Sequence, residues 1–151
     1  MKEKVLIATR NIAKKQEYQK YFAEFLPSVR ILTLDDVKTQ GAPTEDGKTF
    51  FENAHKKAIF YARQTGLTTL GDDGGFEIDA LGGEPGVFSR RWPGYEASDQ
   101  ELVDIVFKKL RGVPAKKRSA RLTTAVVVVK GTGEIVAKEQ GSAVGVIPEK
   151  P

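Results

Sequence analysis

The sequence contains no cysteine, and His55 is its only histidine. The lack of cysteine excludes disulfides, thiolate zinc sites and a cysteine nucleophile. A single histidine excludes a metal site built from several imidazoles. Any bound metal must therefore be held by oxygen ligands, which favours magnesium, with manganese as the alternative.

Long hydrophobic runs are also lacking. The first apolar run, Val5–Ala8, has only four residues and is too short for the apolar region of a signal peptide. No other run is long enough to cross a bilayer. We therefore expect a cytoplasmic protein with no membrane partner.

The composition is that of a globular protein of moderate size. The 151 residues suit one domain, predicted over 1–151, and 40% of them are hydrophobic. The net charge of +4 is mild, and the basic residues gather at Lys108–Arg111 and Lys116–Arg121. Such clusters are more typical of a solvated face than of a nucleic-acid interface, so nucleic-acid binding is the third-ranked interpretation.

The apolar pattern predicts a mixed α/β domain with no internal repeat. Predicted strands cover 5–8, 29–34, 68–71, 125–129, 134–139 and 144–147, with a half-buried strand or extended segment at 76–80. The first predicted helix ends at about Leu26, the second runs from Thr49 to Gly66, and the third begins at Ser98. The core face of the first helix is assigned to Tyr18, Tyr21, Phe22 and Phe25.

The most informative segment is Gly71–Phe76, in which Asp72 and Asp73 precede two glycines. Adjacent carboxylates repel each other unless a positive charge is near. The glycines indicate a backbone that turns sharply or lets a ligand approach closely. A divalent metal on a phosphate substrate would explain both features, and a solvated turn is the alternative.

Two other segments offer groups that suit the same chemistry. Thr9–Lys14 joins a strand to a helix, where free amides and the helix dipole favour an anion. Glu45 lies in the polar loop before the second helix, and Lys57 lies on that helix. Together with the Asp pair they supply carboxylates, lysines and a helix N-terminus, the groups that phosphoryl chemistry needs. Each group, taken alone, has a solvated surface role as its alternative.

At these positions the chain resembles the inosine/xanthosine triphosphate pyrophosphatases, the Ham1-type enzymes that remove non-standard purine nucleoside triphosphates. The matching blocks occur in family order over essentially the whole chain. They are Ala8–Lys14 (family pattern Ala-Thr-x-Asn-x-x-Lys), Thr49–Ala54 with Lys57-Ala58, Thr65–Leu67, the Asp pair, and Asp79–Trp92.

The resemblance implies specific roles. It implies that the triphosphate is bound by Thr9, Arg10, Asn11, Ile12, Ala13 and Lys14, with Lys57 and the Gly74 amide near the phosphates. It implies Mg²⁺ ligation by Glu45 and Asp73, and catalysis by Asp73 as general base with Asp72 beside it. The implied reaction splits ITP, dITP or XTP between the α- and β-phosphates into a monophosphate and pyrophosphate.

The implied fold is a long mixed sheet flanked by helices, in two lobes around a nucleotide cleft, usually paired as a homodimer. Two departures from the family pattern stand out. Gly74 replaces the usual serine, and the chain has neither the aromatic-Gly-x-Asp-Pro segment nor the Ser-His-Arg motif of the purine pocket. We therefore expect the last part of the fold to be missing and specific activity to be weak or absent. An inactive nucleotide-binding remnant or fragment is the alternative.

Overall fold

The structure is a computed structural model that describes residues 3–150. Its five strands, in chain order β1 to β5, are Lys4–Ile7, Arg30–Thr33, Thr68–Ile78, Ser119–Val129 and Ile135–Val146. Its three α-helices, α1 to α3, are Ile12–Phe25, Phe50–Thr65 and Asp99–Lys109. Short 3₁₀ helices cover Asp79–Leu81, Gly86–Arg91 and Ala115–Lys117.

The strands are ordered β2-β1-β3-β4-β5. β1 pairs in parallel with both β2 and β3. β4 and β5 are neighbours joined by a tight turn in which the Lys130 amide donates to the Glu134 carbonyl, so they run antiparallel. The expected mixed sheet with flanking helices is therefore confirmed.

The chain divides into two compact units. The first contains the chain up to Asp73 together with Ala125–Glu139, and the second contains Gly74–Thr124 and the chain from Gln140 onward. The strands β3, β4 and β5 each contribute residues to both units.

In the first unit, side-chain alternation gives the sheet two apolar faces. Val5, Ile7 and Leu70 pack against Tyr18 and Phe22 of α1. The opposite face packs against α2, in clusters formed by Leu6, Ala8 and Tyr61 and by Ala54, Ala58, Ala62, Val127 and Val129. A residue of β3 within this unit therefore faces α1 or α2 according to its position in the alternation.

The second unit has its own core. Ile78, Leu110 and Ile147 are buried together with Ala120. The buried Arg118 guanidinium closes this core by donating to the carbonyls of Val113, Pro148 and Leu110. The charge is thus held by backbone oxygens, which lowers the cost of burying it.

The helix boundaries follow the capping signals in the sequence. The side chains of Asn11, Thr49 and Ser98 cap the three helices, and Gly66 ends α2 with a left-handed conformation. Ser98 forms the expected capping box with Glu101. At α2 the carboxylate of Glu52 accepts from the Lys48 amide, one residue before the predicted partner.

The Asp-Asp-Gly-Gly segment is not a turn. It lies inside β3, and Gly71, Gly74 and Gly75 do not have positive φ angles. Gly71 is required by close packing, because a Cβ at this position would collide with the Ala54 carbonyl oxygen and the Ala58 amide. The prediction of a turn was wrong because a glycine that permits close approach and one that permits a turn look alike in sequence.

Three smaller predictions also need correction. Tyr21 and Phe25 are exposed and stack on each other at 5.7 Å, because each lies outside the stripe of α1 that faces the sheet. The strands predicted at 134–139 and 144–147 are parts of one strand, β5. The extended segment at 76–80 ends as a strand at Ile78, where a 3₁₀ helix begins.

None of the helices within residues 3–150 combines the length and the apolar character that crossing a membrane requires.

The close contact at Gly71 gives a test of the packing. Gly71→Ala is expected to lower the free energy of unfolding by about 2 kcal/mol, because the added methyl group forces α2 away from β3. Gly141→Ala is the matched control, since a Cβ at that strand position meets no atom within 4 Å. Urea unfolding of both variants measures the difference, and equal stabilities would contradict the packing described here.

Candidate active site

Strand β3 separates the two adjacent carboxylates. Asp72, only 2% exposed, faces α1 and pairs with the Lys14 ammonium, with 2.5 Å between Nζ and Oδ2. Asp73 faces α2, where its Oδ2 accepts a hydrogen bond of 2.9 Å from the Asn53 amide nitrogen. Successive side chains of a strand point to opposite faces, so the two carboxylates do not share one side of the sheet. The positive charge expected near the pair is the Lys14 ammonium at Asp72, and the metal stays a prediction.

The turn between β1 and α1 is organised by its own side chains. The buried Thr9 hydroxyl accepts from the Asn11 amide, and the Asn11 side chain accepts from the Lys14 amide, both at 3.2 Å. The amides of Ile12 and Ala13 lie in the same first turn, where helix geometry provides no intrahelical partner. This end of α1 therefore has the geometry of an anion-binding site.

Arg10, in the same turn, reaches a different part of the first unit. Its guanidinium donates to the Gly41 carbonyl at 3.2 Å, which ties the turn to the loop at 39–48. That loop carries Glu45. Two segments that are far apart in sequence are thus joined beside the N-terminus of α1.

Lys57 connects the loop to β3. Its ammonium lies 2.8 Å from Glu45 Oε1 and donates to the Asp72 backbone carbonyl at 2.9 Å. One side chain of α2 therefore brings the carboxylate of Glu45 to the strand that bears the Asp pair. Lys57 also supplies positive charge beside the middle of β3.

Asn53 forms a second connection that the sequence reasoning did not identify. It is buried, its Oδ1 accepts from the Gly47 amide at 2.7 Å, and its Nδ2 donates to Asp73. Gly47 is required here because a Cβ would lie 2.6 Å from Asn53 Oδ1. A polar residue inside the apolar stripe of an otherwise amphipathic helix is the signal that could have revealed Asn53.

Tyr18 is the second site residue that the sequence reasoning missed, because it was assigned to the core only. It lies one helical turn beyond Lys14 and packs in the cluster of Val5, Ile7 and Leu70. Burial raises the pKa of Tyr18, and the negative charge of Asp72 raises it further. The i, i+4 spacing places Tyr18 and Lys14 on one face of α1.

No group of three or more Asp, Glu or His side chains suited to holding a metal occurs among residues 3–150. The candidates are the carboxylates of Glu45 and Asp73, which are both partly exposed. Two carboxylates completed by phosphate oxygens and water are typical of Mg²⁺ sites at phosphate substrates, so these residues fit that ion.

Gly74 lies in β3, in the second unit. A Cβ at this position would come within 2.6 Å of the Thr123 carbonyl oxygen and 2.8 Å of Thr124 Oγ1. The strand neighbour therefore leaves no room for the serine that the resemblance leads one to expect. The role of the Gly74 amide in phosphate binding stays a prediction.

The first unit thus brings most of the predicted residues together. Contacts join Lys14 to Asp72, Lys57 to Asp72 and Glu45, and the Asn11 cap to Lys14. Asp73 is connected to the Glu45 loop through Asn53 and Gly47.

Comparison with known proteins gives a consistent result. The profile of the Ham1 family matches residues 5–151. A dITP/XTP pyrophosphatase of Corynebacterium efficiens is 39% identical over 137 residues, which are 90% of this chain and 66% of that protein. One from Thermus thermophilus is 40% identical over 148 residues, which are 98% of this chain and 69% of that protein. The chain thus spans about two thirds of the length of these curated relatives.

Solved structures agree with the fold. A HAM1 protein from Coxiella burnetii has a TM-score of 0.87 and 30% identity, covering 99% of this chain and 75% of that one. A nucleoside-triphosphatase / dITP/XTP pyrophosphatase from Mycobacterium abscessus has a TM-score of 0.81 and 32% identity, covering 98% and 76%.

The Asn53 connection can be tested by a change of one functional group. In Asn53→Asp the donor to Asp73 becomes a carboxylate, so we expect the free energy of unfolding to fall by about 2 kcal/mol. Asn11→Asp is the matched control, because aspartate caps a helix as well as asparagine does. Urea unfolding at neutral pH measures both. If Asn53→Asp were as stable as Asn11→Asp, the hydrogen bond to Asp73 would not be the link described.

Proposed function

This chain belongs to the Ham1 family, and from that membership we propose that it hydrolyses non-standard purine nucleoside triphosphates. The proposed substrates are ITP, dITP and XTP, and the products are the nucleoside monophosphate and pyrophosphate. The names of the relatives, dITP/XTP pyrophosphatases at about 40% identity, support this substrate class.

The observation that carries the proposal is the arrangement of charges beside the middle of β3. Two lysines and two carboxylates meet there in ion pairs, Lys14 with Asp72 and Lys57 with Glu45. The capped first turn of α1 lies beside Lys14. Lysines next to helix amides suit a polyphosphate, and partly exposed carboxylates suit its counter-ion.

In the proposed mechanism the lysines orient the triphosphate. The ammonium groups of Lys14 and Lys57 and the first-turn amides of α1 bind phosphate oxygens, which holds the α-phosphate in place for attack. Arg10 keeps the Glu45 loop beside that turn through Gly41. Positioning of this kind is the largest contribution expected from the chain's own residues.

Asp73 is the proposed general base. Asn53 orients its carboxylate by donating to Oδ2, and the carboxylate accepts a proton from the water that attacks between the α- and β-phosphates. Asp72 is paired with Lys14 on the other face of β3, so its proposed part is to hold that lysine. Mg²⁺ held by Glu45 and Asp73 would neutralise charge on the phosphate oxygens.

A nucleotide-binding fragment or remnant without turnover is the second candidate. The chain spans 66% and 69% of two curated relatives and lacks the two purine-pocket motifs that the resemblance leads one to expect. This candidate predicts triphosphate binding without pyrophosphate release.

A cytoplasmic location and a homodimeric assembly are further parts of the proposal that this chain is a pyrophosphatase.

Pyrophosphate release from ITP, dITP and XTP with magnesium tests the proposed activity, with ATP and GTP as comparison substrates. Asp73→Asn is expected to lower kcat by at least about 100-fold, because the water loses its proton acceptor. Triphosphate binding should remain, since the lysines are unchanged.

Asp35→Asn is the matched control. Asp35 is exposed and pairs with Lys15, so this variant is expected to keep full turnover. Triphosphate binding with no turnover by the unmodified chain would favour the remnant. Equal turnover by Asp73→Asn and Asp35→Asn would contradict the role of Asp73.

A further inference from the structure

A polar groove of about 740 Å³ lies beyond the carboxyl ends of β1 and β2 in the first unit. Its walls come from the β1–α1 turn, the segment 34–40 that follows β2, and the last turn of α2. Because β1 and β2 are parallel, their carboxyl ends meet at one edge of the sheet, where open α/β sheets usually bind ligands. Among residues 3–150, Arg10 is the one candidate active-site residue that also lines this groove.

The groove carries an excess of positive charge. Arg10, Lys15 and Lys38 line it, and Asp35 is the one carboxylate of the described residues that does. Lys15 is paired with Asp35, with 2.5 Å between Nζ and Oδ2. Arg10 and Lys38 are exposed, and neither forms an ion pair with a carboxylate in the part of the chain that the structure describes. The Arg10 guanidinium donates to the neutral Gly41 carbonyl and has further N–H groups for a ligand.

Hydrogen bonds fix the backbone of the groove walls. Asp36 Oδ2 accepts from the Thr33 amide at 2.7 Å and from the Thr33 hydroxyl at 2.9 Å, which fixes the turn after β2. At the other end of this segment the Gln40 amide donates to Gln64 Oε1 at 2.8 Å, and Gln64 Nε2 donates back to the Gln40 carbonyl at 3.2 Å. Gln64 lies on α2, so the segment that carries Lys38 is tied to a helix. A wall that is already ordered loses less conformational entropy when a ligand binds.

The charges in the groove suit a ligand with two phosphate groups. A guanidinium binds phosphate oxygens in pairs, and an ammonium binds them as a compact charge. Arg10 and Lys38 belong to different walls, so a ligand that meets both needs an anionic group for each. Solvation of the two side chains by water alone is the alternative, because exposed cations are common on protein surfaces.

We propose that this groove is an anion-binding site for a diphosphate group, bound through Arg10 and Lys38. The diphosphate is either free pyrophosphate or the terminal phosphates of a nucleotide. Asp35 lowers the affinity of the site, since its carboxylate repels the ligand and neutralises Lys15. Binding in the groove does not depend on the proposed hydrolysis, because neither Asp73 nor Glu45 lines it.

An NMR titration of the backbone amides with pyrophosphate tests the proposal, because the amides of 37–40 report on the groove and those of 11–14 on the N-terminus of α1. Lys38→Gln is expected to raise the Kd measured at 37–40 by about 10-fold, because a charged contact to phosphate is lost. Lys20→Gln is the matched control, since it removes the same charge from an exposed site on α1 that does not line the groove. It should leave this Kd within about twofold of that of the unmodified chain.

Two further arms make the test specific. Asp35→Asn should lower the Kd at 37–40 by about threefold, because it removes the carboxylate and releases Lys15. A titration with ATP identifies the source of the diphosphate: a lower Kd for ATP than for pyrophosphate assigns the groove to a nucleotide, and the reverse assigns it to the free anion.

Equal Kd values for Lys38→Gln and Lys20→Gln, or no shift of the amides at 37–40 with either ligand, would overturn the proposed anion site. Shifts confined to the amides of 11–14 would also overturn it, while leaving the proposed phosphate-binding role of α1 intact.

Discussion

The alternation of side chains along β3 is the constraint on which the candidate site depends. It turns Asp72 toward α1 and Asp73 toward α2, although the two are neighbours in the chain. Each carboxylate then has a partner from a different helix, the Lys14 ammonium on one face and the Asn53 amide on the other. Two adjacent residues can therefore have different tasks without competing for one cation.

Helix α2 provides the connections that make these separate contacts into one site. Lys57 and Asn53 both project from it, and each joins the Glu45 loop to β3. Lys14 and Lys57 are paired with carboxylates, so these charges largely neutralise one another. Under the proposed function, a polyphosphate and its counter-ion would take over these partners, which limits the desolvation cost of bringing so many charges together.

Much of the fold could be predicted from the sequence, because capping residues and apolar periodicity act locally. Thr49, Ser98 and Gly66 mark helix ends in both the sequence and the structure. What could not be predicted depends on contacts between distant segments. The glycines of β3 resemble turn residues until the backbone of α2 is seen against Gly71.

The same limit applies to the site. Lys14, Glu45 and Asp73 could be proposed from residue type, order and the family resemblance, and their roles stay predictions. Asn53 could not be proposed, because an amide in an apolar stripe becomes informative only when its target is known. The side of the sheet that each carboxylate faces could not be predicted either, because that requires knowing that the segment is a strand.

A double-mutant cycle between Lys14 and each carboxylate tests this arrangement most directly. Unfolding free energies of Lys14→Met, Asp72→Asn, Asp73→Asn and the two double variants give the coupling energies. The structure predicts a coupling above about 1 kcal/mol for Lys14 with Asp72 and within about 0.3 kcal/mol of zero for Lys14 with Asp73. A larger coupling of Lys14 to Asp73 than to Asp72 would contradict it.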